Sequence, residues 1–325
     1  MTLALLFSPQ GSQVVGMGAA LADAWPSARA VFEEADGALG WSVASLCWDG
    51  PEDRLNDTRQ TQPCLVATSL ACLAALREAL PDLAGPMAPA LVAGHSVGEY
   101  AALAAAGVLG TADALRLVAQ RGALMAEGAE GGAMAAVIGL ERGVVAEIVA
   151  ATASPDELVV ANDNAPGQVV ISGTREAIAR ADQALAAAGA RRVIALKVSG
   201  AFHSPLMAPI GTALASAFDE VTWSNAQPPV VSNVTAEPVT DAAVIRDLLA
   251  RQVSAPVEWV ASVRRMVDAG VDTFVECGPG AALTAMVRRI QPRAHTHNVS
   301  NPATLRKTVA ALSEAARVGV AGASA

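Results

Sequence analysis

"LVAGHSVGEYAALAAAG", residues 91–107, passes from an apolar tetrad to a serine held between two glycines and on into an alanine-rich stretch. A short apolar run bounded by glycine reads as a buried strand, and the alanine run as a helix. The junction G-H-S-V-G, residues 94–98, has the form of a nucleophile elbow. In such a turn small neighbours let the chain tighten, and the free amides of the helix start favour a developing negative charge. A plainer reading stands beside it. Ser96-Val97-Gly98-Glu99 is also a capping box, in which serine and glutamate only satisfy helix amides.

The flanking chain repeats the strand–helix alternation. "TLALLF" near the start, "ALVA" before the elbow, and "PPVVSNV" and "DTFVECG" further on read as buried strands separated by helical segments. This alternation predicts an α/β fold with a largely parallel sheet covered on both faces. The middle departs from it. "GAMAAVIGL", "ERGVVAEIVAAT", "ELVVAND", "GQVVISG", "TREAIARADQALAAAGA" and "RRVIALKVS" give the order β-α-β-β-α-β, a ferredoxin-like subdomain. We place it as an insertion over residues 131–198, with 1–130 and 199–325 forming the discontinuous core. The tail "RVGVAGASA" is expected to fray.

The chain has 325 residues, is 53% hydrophobic and 16% charged, and so can bury a sizeable core. Its net charge of -9 argues against general nucleic-acid binding. Neither a signal peptide nor a membrane-spanning run is visible, which suggests a cytoplasmic protein. The four cysteines lack metal-ligand spacing and read as small buried residues. Nothing demands more than a monomer.

A serine nucleophile needs a base. His95 adjoins Ser96 in sequence and should point away from it. His295 and His297, in "RAHTHN", read as a surface loop. His203, in "LKVSGAFHSPLM", lies where a strand ends near 199–200 and Ser204-Pro205 opens a helix. In a parallel sheet such a junction shares the edge that carries Ser96; the alternative is a solvated loop histidine. In "TADALRLVAQRGALMAE", residues 111–127, Arg121 falls within the apolar arc with Val118 and Met125. A guanidinium facing the core needs an anion. That anion is either a structural Asp or Glu, or a ligand carboxylate gripped bidentately.

Seven segments in order then carry a likeness: "QGSQVVGMG", "TQPCLVATSLA", "GHSVGEYAALAAAGVL", "QRGALM", "NDNAPGQVVISG", "GAFHSPLM" and "ECGPGAAL". The chain resembles malonyl-CoA:acyl carrier protein transacylases and the related acyltransferase domains of polyketide synthases. The resemblance implies a hydrolase-like α/β core with a ferredoxin-like insertion. It implies transfer of malonyl from malonyl-CoA to the phosphopantetheine thiol of an acyl carrier protein, with no metal or redox cofactor. It also implies Ser96 as nucleophile, His203 as base and Arg121 as clamp on the malonyl carboxylate. A backbone carbonyl at Gln252 would support the histidine, and the amides of Gln10 and Val97 would form the oxyanion hole. Asn162 would lie on the site wall, and Phe202 would restrict room at the substrate's α-carbon. Plain core packing for Phe202 and an ordinary helix-end role for Gln252 are the alternatives.

The family reads F-P-G-Q-G-S-Q where this chain has "FSPQGSQ", residues 7–13. Pro9 fixes φ near about -65° and removes an amide hydrogen. Either the loop is rearranged or the oxyanion site is weakened. Two other activities fit parts of the pattern: a serine thioesterase or esterase, and a catalytically impaired carrier-docking homologue. For an acidic carrier, Arg191, Arg192 and Lys197, or Arg288 and Arg289, offer basic patches.

Overall fold

A computed structural model describes residues 1–128, 131–198 and 200–323. The strands are β1 (Leu3–Phe7), β2 (Leu91–Gly94), β3 (Gly132–Ile138), β4 (Leu158–Ala165), β5 (Gln168–Thr174), β6 (Arg192–Ala195), β7 (Val230–Val231), β8 (Pro238–Val239), β9 (Thr273–Cys277) and β10 (His295–Val299). One six-stranded sheet has the order β10-β9-β1-β2-β7-β8. All its pairs are parallel except β7 with β8. Residues of β1 and β9 are buried throughout, because helices cover both faces.

The second sheet is antiparallel, with the order β4-β5-β3-β6. Helices Arg142–Thr152 and Arg175–Ala187 pack on it over a separate apolar cluster that includes Val137, Val169, Ile171 and Leu185. This is the ferredoxin-like arrangement. Thr174 opens the second helix by accepting from the Ala177 amide. The small sheet is stitched to the core at Val257, which exchanges backbone hydrogen bonds with Ala161 and Asp163.

Several elements differ from the sequence reading. The loop expected at His295 and His297 is the edge strand β10, parallel to β9. Its residues are polar because only part of an edge strand faces the core. The strand expected over "RRVIALKVS" is only four residues long, and its end at Ser199 lies outside the described residues. "PPVVSNV" contributes two strand residues. The chain reaches the end of its described residues in helix Pro302–Ala323, so the last part of the tail expected to fray lies outside them. Among the described residues, no helix is long and apolar enough to cross a membrane. The four cysteines are buried and free.

The elbow is tight enough to exclude side chains at both its glycines. A Cβ on Gly94 would lie 1.9 Å from the Gly98 backbone, and one on Gly98 would lie 2.2 Å from the Phe7 carbonyl oxygen. The G-x-S-x-G pattern is therefore a packing requirement where β2, the next helix and β1 meet. Gly98→Ala should force these elements apart and destabilise the fold by about 1–3 kcal/mol, read as a lowered urea midpoint.

Candidate active site

Ser96 follows β2 and precedes helix Gly98–Ala105, with φ of 51°. His203 follows the small sheet and precedes the short helical turn Pro205–Met207, with φ of 59°. Both non-glycine residues occupy the left-handed region, a strain of order 1–3 kcal/mol each that surrounding contacts must hold. The two side chains meet: Ser96 Oγ lies 2.8 Å from His203 Nε2. His203 Nδ1 lies 2.9 Å from the Gln252 carbonyl oxygen and 3.1 Å from that of Ala255. A carbonyl can only accept, so Nδ1 carries the ring hydrogen and Nε2 is left to accept from the serine hydroxyl.

Burial, with the charge of Arg121 beside it, pushes the His203 imidazole down to about 3. The ring is neutral at neutral pH and able to take a proton. His95 packs against Trp259 and shares its Nε2 with Asn164 Oδ1 at 2.7 Å, so it serves the wall rather than the serine. Burial pushes it down to about 4.

Arg121 is fully buried. Its Nη1 donates to Gln62 Oε1 at 2.7 Å. Its Nη2 donates to Gln252 Oε1 at 3.0 Å and to Ser96 Oγ at 3.1 Å. Its Nε–H is buried with no acceptor among the described residues. No carboxylate among them comes within the 4.0 Å of an ion pair. Of the two partners the sequence allowed, a structural Asp or Glu is therefore not the one present.

The capping-box reading fails. The first residue of the helix is Gly98, and no side chain caps it. Ser96 Oγ faces His203 and Arg121, while Glu99 Oε2 accepts from Gln252 Nε2 at 2.6 Å. At the second junction Ser204 also leaves the helix uncapped, and its hydroxyl donates to the Ala201 carbonyl.

The amides of Gln10 and Val97 have no acceptor among the described residues. The altered loop accommodates Pro9. The Ser12 amide donates to the Pro9 carbonyl across a turn whose positive φ, 95°, falls on Gly11. Ser8 is buried, and its hydroxyl donates to Glu276 Oε1 at 3.2 Å. That carboxylate also receives the amides of Leu283 and Thr284 at the start of helix Ala282–Ile290. The loop around the proline is thus an ordinary turn, and the Gln10 amide has no acceptor among the described residues.

A pocket of about 410 Å³ opens onto Ser96 and His203, with Gln10, Asn162, Phe202 and Lys197 among its walls. Of the two basic patches, Arg288 and Arg289 are engaged within the chain, by Thr296 and by Gln168 with the Pro166 carbonyl. Lys197 is exposed beside the pocket, and Arg191 and Arg192 are exposed nearby in sequence.

Three residues work at the site without having been read there from the sequence. Asn233 accepts from the Ser96 amide at 2.6 Å and donates to the Gly94 carbonyl at 2.6 Å, bridging the strained elbow. Gln62 holds Arg121. Glu99 holds the Gln252 side chain. Asn233 lies in the expected strand "PPVVSNV", and Gln62 in a segment quoted for its likeness. Their partners are 137 and 59 positions away, beyond the reach of any local pattern.

Comparison with known proteins identifies the family. The family model described as acyl transferase domain matches residues 4–318. The chain is 43% identical to a malonyl CoA-acyl carrier protein transacylase of Salmonella typhimurium, covering 93% of this chain and 97% of that one. An acyl carrier protein S-malonyltransferase of Vibrio cholerae superposes with a TM-score of 0.89 at 39% identity, covering 95% of this chain and 100% of the other. A malonyl-transacylase solved with a type II polyketide synthase acyl carrier protein gives 0.90 at 40%, covering 95% and 99%.

Because the His203 ring stays neutral well below the usual imidazole range, labelling of Ser96 by an uncharged fluorophosphonate should hold nearly constant from about pH 8 to 5. A loss of labelling centred near the ordinary histidine value of about 6.5 would contradict the geometry. Asn233→Ala removes both elbow bridges, and should cost about 1–3 kcal/mol of stability together with a slower labelling rate.

Proposed function

The chain belongs to the acyl transferase domain family, and from that premise we propose that it moves a malonyl group from malonyl-CoA to the phosphopantetheine thiol of an acyl carrier protein. The observation that carries the proposal is the buried Arg121 guanidinium, 3.1 Å from Ser96 Oγ and without a carboxylate partner among the described residues. A cation so placed suits an acyl group that brings its own anion.

In this reading His203 Nε2 takes the Ser96 proton and Oγ attacks the thioester carbonyl. The cation at Oγ also favours the alkoxide. The tetrahedral oxyanion rests on the Gln10 and Val97 amides, each such donor being worth about 3–4 kcal/mol when removed. Collapse expels coenzyme A, and His203 returns the proton to the leaving sulfur. The carrier thiol then attacks the malonyl-serine ester, again with His203 as base, and Ser96 is restored. The Gln252 carbonyl supports the imidazolium that forms twice in each cycle. Asn162 and Phe202 bound the acyl pocket. Serine, histidine and backbone amides supply the chemistry, so the proposal includes no cofactor.

We take residues 131–198 as an inserted subdomain and 1–130 with 199–325 as the core, a division supported by the separate sheets. The carrier would approach on the Lys197 side of the pocket, where exposed cations suit an acidic partner. These substrates imply action in the cytoplasm.

Malonyl-CoA should leave a malonyl adduct on Ser96, detectable by mass spectrometry and discharged by holo-carrier protein. Release of free malonate at one rate with or without carrier would instead indicate a hydrolase, and no adduct would indicate an impaired homologue. Arg121→Ala should cut malonyl loading about 100-fold while acetyl loading falls far less. Phe202→Ser should raise the methylmalonyl-to-malonyl loading ratio roughly tenfold.

A further inference from the structure

Behind the serine lies a carboxylate that the transfer chemistry does not use. Glu99 is 3% exposed, on the helix that begins at the elbow. Its Oε2 accepts from Gln252 Nε2 at 2.6 Å and from the Asn233 amide at 3.4 Å. The same Gln252 side chain uses Nε2 to reach the Ser96 carbonyl oxygen at 3.0 Å and Oε1 to accept from Arg121. A primary amide has one donating and one accepting end. With acceptors on one side and Arg121 on the other, Gln252 has a single satisfied orientation, and Glu99 is one of the groups that set it. One neutral side chain therefore connects the anion, the cation and the elbow.

The charges in this cluster do not stay balanced through the proposed reaction. The ionised and titratable groups that act on Glu99 are Arg121, from helix Thr111–Glu127, and its neighbour Tyr100. The strand and helix on its other side offer Val230, Val239, Ile245, Leu248 and the hydroxyl of Ser232. Gln252 and Asn233 are neutral. One buried cation thus faces one buried anion across an amide. A malonyl ester on Ser96 would bring a second anion to the same guanidinium, with no second cation among the described residues to meet it. Two carboxylates competing for one buried positive charge resist joint ionisation.

We propose that Glu99 is a specificity-determining positioning residue, which takes up a proton from solvent as the anionic acyl group reaches Arg121 and so keeps the buried charge balanced. The inference rests on the transferase reading above. The step is Glu99 carboxylate plus one proton giving the carboxylic acid. One oxygen of that acid still accepts from Gln252, so the amide keeps its orientation and the clamp is not released. A neutral acyl group such as acetyl brings no second anion and causes no uptake.

Burial already pushes the Glu99 carboxyl up to about 7, against the pull of its hydrogen bonds and of Arg121. A malonyl carboxylate at Arg121 cancels part of that pull and raises the group further. The coupling has a definite sign. Where Glu99 is ionised in the free enzyme and protonated in the loaded one, each unit fall in pH favours malonyl loading by up to tenfold. The effect levels off below about 7, where both forms are protonated.

The test uses the full chain. Loading equilibria with malonyl-CoA and acetyl-CoA are measured from about pH 8.5 to 6, and their ratio is taken, so that ionisation of the released thiol cancels. Proton uptake is followed in parallel with a pH indicator in weak buffer, and adducts are confirmed by mass. The malonyl-to-acetyl ratio should climb as pH falls towards 7 and then flatten, with uptake of a fraction of a proton per malonyl adduct near pH 7–8 and none per acetyl adduct. In Glu99→Gln the ratio should be independent of pH and the uptake lost. If that variant does not fold, the malonyl and acetyl arms on the wild-type enzyme still decide. A Ser96 malonyl adduct with a flat wild-type ratio and no uptake overturns this inference and leaves the transferase standing. Absence of the adduct overturns both.

Discussion

Arg121 buries a full positive charge and gives it neutral partners, the oxygens of Gln62, Gln252 and Ser96. Taking a guanidinium out of water costs several kcal/mol, and neutral acceptors offset less of that than a carboxylate would. Burial accordingly makes its charged form less favourable, although a guanidinium keeps its proton in proteins. In the proposed function an incoming carboxylate would give this cation a charged acceptor in direct contact, which its neutral partners are not. The buried Nε–H that meets no acceptor among the described residues belongs to the same cation.

The geometry around this cation is rigid because strain is held from several directions. Ser96 and His203 both have left-handed backbone conformations. The serine is fixed by the contact of two glycines below it and by Asn233 across the elbow. The histidine backbone is fixed by its amide, which donates to Val253, and its ring by the carbonyls of Gln252 and Ala255. Helix Ala242–Gln252 therefore ends at the site with its last residue working twice: its carbonyl orients the base, and its side chain holds Arg121 and the elbow. A carbonyl at this position fixes the imidazole tautomer without adding a further negative charge to a region that already contains Glu99.

The loop at Pro9 is held by contacts on both sides. Proline cannot supply positive φ, and the turn takes it at Gly11, where the family motif also has glycine. Ser8 fills buried space with a hydroxyl that needs an acceptor, and Glu276 provides one while also receiving the amides at the start of helix Ala282–Ile290. The loop is tied to the end of β9 by a polar contact, and the Gln10 amide has no acceptor among the described residues.

What the sequence determined by itself was whatever depends on local spacing. Apolar runs between glycines gave the parallel strands, period and order gave the inserted antiparallel sheet, and helical phase turned Arg121 inward. Ser96 and His203 were legible as residues at strand–helix junctions. Readings failed where one local pattern has two uses or where a strand is polar: the capping box at Ser96 and Glu99, and the edge strand at His295. Only the tertiary structure decided who meets whom. It joined Ser96 to His203 across 107 positions, Gln252 to Glu99 across 153, and Arg121 to Gln62 across 59. Those pairings are set by the packing of elements that are distant in the chain, and the spacing of letters along it carries no record of them.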